Sequence, residues 1–180
     1  RHVMTLSRRS FNKLALGALA AGAAVPRFAL SQSGPVASPA GNVVNGVRLG
    51  VISYSFRAME RTPGEDYIAK IADASAEVGG GDIELMARLT VQPPDGSRED
   101  MRQWRLNTPM SYFSDIKDKF LARGMKIISY THTFSEDMTD AELDKMMQAT
   151  RAMGASLMTL TMCKINAAAR LAPLAQQNGV

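Results

Sequence analysis

The sequence predicts an α/β protein built of parallel (β/α) units, the first half of a TIM barrel, preceded by a signal peptide. Three observations carry that expectation. Strand-like runs rich in β-branched and aromatic residues alternate four times with segments of helical period. The helical segments stop at glycines, Gly79, Gly124, Gly154 and Gly179, each just ahead of the next apolar run or the chain's last residue. The first 31 residues hold five basic side chains and no acidic one around a weakly apolar stretch, the order of a targeting segment.

Within that segment Ser7-Arg8-Arg9-Ser10-Phe11-Asn12-Lys13 precedes an Ala/Leu/Gly run from Leu14 to Val25, and Ala29-Leu30-Ser31 supplies small residues for a cut. The run is about a dozen residues, short of the roughly 20 a membrane-spanning helix needs. The pattern resembles a twin-arginine signal, Ser/Thr-Arg-Arg-x-Phe-Leu-Lys, and departs from it at Asn12. That resemblance implies export of a folded protein to the periplasm or beyond, with Met4 as the start and the twin-arginine machinery as a partner. It predicts no permanent membrane span.

A Pro/Ser/Gly/Asn-rich linker is expected over 32–46, and the barrel units over 47–180. Val47 to Phe56 reads as the first strand. Tyr67, Ile68, Ile71, Ala72, Ser75 and Val78 form one helical face closed by Gly79-Gly80-Gly81, and Asp82-Ile83-Glu84-Leu85-Met86 follows as the second strand. Leu89 to Thr108 is expected as a long loop or lid carrying Trp104. Pro109 then opens a helix with Phe113, Ile116 and Phe120 on one face, and Lys126 to His132 is the third strand. Thr139-Asp140-Ala141-Glu142 is a capping box for the next helix, with Met146, Met147 and Met153 as core fillers. Leu157 to Met162 is the fourth strand, and an Ala/Leu helix from Asn166 to Gln177 follows it.

A doubly wound sheet is the competing architecture, but it normally carries a glycine-rich phosphate loop after its first strand, and Tyr54-Ser55-Phe56-Arg57 has none. At about 30 residues per unit, the spacing instead predicts half of an eight-unit barrel, with the fifth strand due after Val180. Of the 21 basic residues, 16 lie after residue 31, against 17 acidic ones. A body of net charge −1 argues against a nucleic-acid partner. The single cysteine, Cys163, excludes an internal disulfide and reads as a small buried hydrophobe.

In a parallel barrel the chemistry sits at the carboxyl ends of the strands. Ile83 and Leu85 belong to the helix-facing side, so Glu84 is expected on the opposite, inner face, where a carboxylate needs a partner. It can ligate a metal, bind a sugar hydroxyl or pair with a buried cation. His132, grouped by alternation with Ile128 and Tyr130, is expected on the same inner rim, as a ligand or as a ring satisfied by a backbone carbonyl. Tyr54 and Phe56 read as a sugar-stacking wall or as filling, Trp104 as a ligand cover or a loop anchor, and Lys164 as a further strand-end group. No zinc-type cysteine pair, Gly-x-Ser-x-Gly turn, phosphate loop or His-Glu-x-x-His is present.

Leu49 to Arg57, Asp82 to Met86, Trp104-Arg105-Leu106 and Phe120 to Ile127 together resemble the xylose isomerase-like barrel family of sugar phosphate isomerases and epimerases, in its exported twin-arginine subgroup. The resemblance spans 47–180. It implies an eight-unit barrel, a divalent metal (Mn, Mg, Co or Zn) whose ligands come mostly from strands beyond Val180, and proton transfer between adjacent sugar carbons. Glu84 matches the glutamate at the end of the family's second strand, and His132 a metal histidine of related nuclease-type barrels. The implied activity is that of a sugar isomerase or epimerase, with Glu84 and His132 catalytic and Tyr54, Phe56, Trp104 and Lys164 binding substrate. The alternatives are a non-catalytic carbohydrate-binding barrel and a metal-dependent endonuclease-type barrel. The implied partners are a small-molecule sugar and, through unpaired strand edges, further copies of the chain.

Overall fold

The computed structural model describes residues 43–180, except Pro94 and the side chain of Asn166; the segment expected to be a signal and the start of the expected linker lie outside the described residues. The first described element is a hairpin, β1 (Val43–Val44) and β2 (Val47–Arg48), paired antiparallel. Asn45 and Gly46, at φ 51° and 83°, supply the two left-handed positions that a tight two-residue turn demands. The last part of the expected linker is therefore paired, and Asn-Gly between valines was its signal.

Four strands form a parallel sheet in chain order: β3 (Gly50–Ile52), β4 (Asp82–Met86), β5 (Lys126–Thr133) and β6 (Leu157–Thr161). The mixed α/β class with a parallel sheet is as expected. The first strand is much shorter than expected. After Ile52 the chain turns into a 3₁₀ helix, Ser53–Phe56, where the Ser53 hydroxyl accepts the Met86 amide at 2.8 Å. Tyr54 and Phe56 consequently sit on a turn rather than on a strand.

Five helices connect and follow these strands. In α1 (Tyr67–Glu77) the Asp66 carboxylate caps Ala69 N, and Ile68, Ile71, Ala72 and Ser75 are buried. The helix α2 (Arg98–Asn107) occupies the second half of the segment expected to be a lid, started by a capping box between Ser97 and Asp100. Few apolar residues mark α2, so its period was weak in the sequence. Next come α3 (Met110–Leu121), burying Phe113, Ile116 and Phe120, and α4 (Asp140–Ala152), opened by the expected Thr139–Glu142 box. The last, α5 (Ala168–Asn178), ends at left-handed Gly179. No helix among the described residues is long and apolar enough to cross a membrane.

The helices pack on one face of the sheet. Ile83, Leu85, Ile127 and Tyr130 share a core with Ile71, Phe113, Ile116 and Phe120, while Met158 and Leu160 of β6 meet Leu143, Met146 and Leu171. Met146, Met147 and Met153 are core fillers as expected, each at most 2% exposed. Cys163 corrects its expectation. It is exposed, on the loop that follows Met162, whose φ of 63° turns the chain away from the sheet.

Closure of α1 onto β4 depends on two glycines of different kinds. Gly79 has φ 76° and requires left-handed backbone. At Gly80 a Cβ would lie 2.8 Å from both the Ser75 carbonyl oxygen and Val51 Cγ1. Gly80→Ala is expected to cost about 1–3 kcal/mol by overpacking. Urea unfolding of the variant checks this, and an unchanged midpoint would show that β3 moves aside freely.

Candidate functional site

Alternation along β4 places Ile83 and Leu85 against the helices and Glu84 on the opposite face, as expected. β5 then breaks the pattern. Ile83 pairs with Ile127 but Glu84 pairs with Ser129, so Ile128 is an extra residue in the strand and is 47% exposed. A one-residue bulge exchanges the faces of everything after it. Ser129 and Thr131 therefore join Glu84, while Tyr130 and His132 turn to the helices.

The Glu84 face carries oxygen donors and acceptors. Thr131 Oγ1 donates to Glu84 Oε1 at 2.5 Å, and the Ser129 and Thr159 hydroxyls lie 3.0 Å apart. Thr161 Oγ1 donates to the His132 carbonyl at the carboxyl end of the sheet. Ser129 and Thr131 are buried and Glu84 is half-buried. These are hard oxygen groups of the kind a divalent cation or a polyol takes. Among the described residues no three His, Cys, Asp or Glu side chains converge on a metal position.

His132 does not share a rim with Glu84; this corrects the expected mouth, and the Ile128 bulge is the reason. The ring stands edge-on to Tyr130, centroids 4.3 Å apart, and is 3% exposed. His132 Nε2 and Tyr130 Oη are both buried without a hydrogen-bond partner. Both residues line a cavity of about 10 Å³, the space of roughly one water. Burial, aided by the Arg105 cation, pushes His132 down to a pKa of about 3. Burial likewise raises the Tyr130 phenol well above its ordinary value.

Beside His132 opens a cleft of about 330 Å³ between the loop after β4, the first turns of α2 and the end of β5. Arg88, Arg98 and Arg105 line it with His132, and Asp95 is the one acidic residue in that lining. Arg98 pairs with Asp137. Arg105 donates through Nη2 and Nε to Glu142 Oε1, at 2.8 and 3.3 Å. Glu142 Oε2 in turn accepts the Thr139 amide at 2.8 Å, which ties α2 to the start of α4. Sequence reasoning missed these arginines because Arg98 and Arg105 come from α2, within the stretch expected as a loop, and Arg88 from the π-helical turn Ala87–Val91, just before that stretch.

The other expected site residues scatter. Trp104 is no cover: it packs against the core and meets Tyr112 and Phe113 edge-on at 6.1 and 5.9 Å. Phe56 also packs against that core. Tyr54 is exposed, with the Arg57 guanidinium 4.5 Å above its ring. Lys164 is exposed and pairs with Glu136 at 2.9 Å. No family model and no curated protein matches this chain.

Proposed function

We propose that the chain belongs to a xylose isomerase-like barrel enzyme, a sugar isomerase or epimerase in which Glu84 moves a proton between adjacent carbons. The same reading makes the sheet the first half of a TIM barrel. It makes residues 1–31 a twin-arginine signal delivering the protein to the periplasm or outside. The observation that carries the reading is the Glu84 carboxylate on a hydroxyl-bearing sheet face, two residues from the carboxyl end of β4. Support for the barrel comes from the strand order, four parallel neighbours in chain sequence, whereas a doubly wound sheet reverses order at its switch point.

In this reading the hydroxyls of Ser129, Thr131 and Thr159 orient a polyol by exchanging hydrogen bonds with it. The donation from Thr131 fixes the Glu84 carboxylate and leaves Oε2 to take a proton from a carbon next to a carbonyl. A divalent metal, if ligands from further strands held it, would supply polarisation of that carbonyl.

The test incubates the protein with aldoses and ketoses in D₂O containing Mn²⁺ and follows deuterium at the carbon beside the carbonyl by NMR. Exchange is expected, and Glu84→Gln should lower it by about 10²-fold or more with little change in unfolding midpoint, since an amide oxygen still accepts from Thr131. Sugar binding without exchange would favour the carbohydrate-binding alternative. Neither binding nor exchange would remove sugars from the reading.

A further inference from the structure

The cleft beside His132, at the end of β5, does not have Glu84 in its lining, and the proton-transfer reading leaves it unused. We propose that this cleft binds the oxyanion of a small organic molecule, a carboxylate or a phosphate, with Arg88 as its free charge and Arg105 and His132 as its inner wall. Charge points that way. Three arginines line the cleft against Asp95, and two of them already have counter-charges, Asp137 for Arg98 and Glu142 for Arg105. The Arg88 side chain has no ion pair or hydrogen bond among the described residues, and the residue is exposed. A guanidinium offers a planar fork matched to two oxygens of one anion.

A second observation is independent of charge. His132 is 3% exposed and lines the cleft, yet its Nε2 bonds to nothing. Buried polar atoms are nearly always partnered, so an orphan on the wall of a cleft marks a place where a partner arrives from outside the chain, directly or through a water in the adjoining small cavity. The neutral ring offers such a partner one N–H without adding a charge.

The remaining walls describe the body of the ligand. Met101, Met138 and Pro93 are apolar, while Gln92, Ser135 and Asp95 offer hydrogen bonds to neutral groups. At about 330 Å³ the cleft is at the small end of the range for ligand sites. A small hydroxylated acid or phosphate ester fits this chemistry better than a bare ion.

The test titrates the whole 180-residue chain with inorganic phosphate and, separately, with malonate, holding ionic strength constant with chloride. The imidazole NMR signals are read; the chain has only two histidines, so His2 serves as the reference. A saturable shift of His132 alone is expected, and Arg88→Ser should weaken binding about tenfold or more with unchanged circular dichroism, because Arg88 is exposed. Saturation by phosphate only assigns a phosphate ester, by malonate only a carboxylate, and by both the wider oxyanion class. A shift that never saturates, or saturation unchanged in Arg88→Ser, would overturn the proposal.

Discussion

Acidification from pH 7 toward pH 3 is expected to destabilise the fold through His132. The unfolded chain protonates this ring near its ordinary value of 6.5, whereas the folded chain does so only at about 3. Between those values the unfolded state binds the extra proton, so stability drops as pH is lowered, by up to about 1.4 kcal/mol per unit. Above 6.5 the ring is neutral in both states and contributes no slope. The full window corresponds to about 5 kcal/mol, comparable to the whole stability of a small domain.

The interval from pH 6.5 to 5 isolates the effect. Carboxyls held low in the fold, such as Asp66 and Glu142, act in the same direction, but their stabilisation is fully present above about 4.5 and is lost only as pH falls through their folded values. Urea unfolding at pH 6.5, 5.75 and 5.0 should show a loss of about 2 kcal/mol in the parent chain. The curve should be nearly flat in His132→Gln. Equal slopes in the two proteins would mean that His132 finds a partner for its charge, and the orphaned Nε2 would cease to be an argument about the cleft.

What the sequence revealed of the fold and what it concealed follow from the range of the interactions involved. Local signals were legible: the Thr139 box set the start of α4, the left-handed glycines set the ends of α1 and α4, and β4 alternation set the face of Glu84. The Ile128 bulge was not, because it comes from matching β5 to β4 across the sheet and leaves no mark in the β5 residues themselves. Grouping His132 by alternation with Ile128 and Tyr130 put it on the Glu84 side, and one unpaired residue reversed it. The α2 helix was concealed differently. Its buried side includes Arg105, a residue whose burial is tolerable only because Glu142, 37 positions away, neutralises it. A pattern of apolar residues cannot register a helix face completed by an ion pair.

That ion pair carries the other large effect. Glu142 is 2% exposed. One oxygen accepts from Arg105 at 2.8 Å, while the other caps Thr139 at 2.8 Å and lies 3.7 Å from Arg102 Nε. Burial pulls this carboxyl upward, but bonds from Thr139 and Arg105 outweigh it and hold the group below its usual range. Glu142→Ala leaves the Arg105 guanidinium, 8% exposed, without its counter-charge, and should cost about 3–5 kcal/mol. Losing the reciprocal half of the capping box adds to that. Glu142→Gln should cost somewhat less than Glu142→Ala, since its single amide oxygen can keep either the cap or the bond from Arg105, while its NH₂ group then faces the other donor. Replacing both partners, Arg105→Met with Glu142→Leu, should recover much of the loss, because the desolvation of both charges disappears together. Urea unfolding of the four proteins with a common m-value decides it. If Glu142→Ala lost under about 1 kcal/mol, Arg105 would have to be escaping to water, which would open the wall between α2 and α4 that encloses His132.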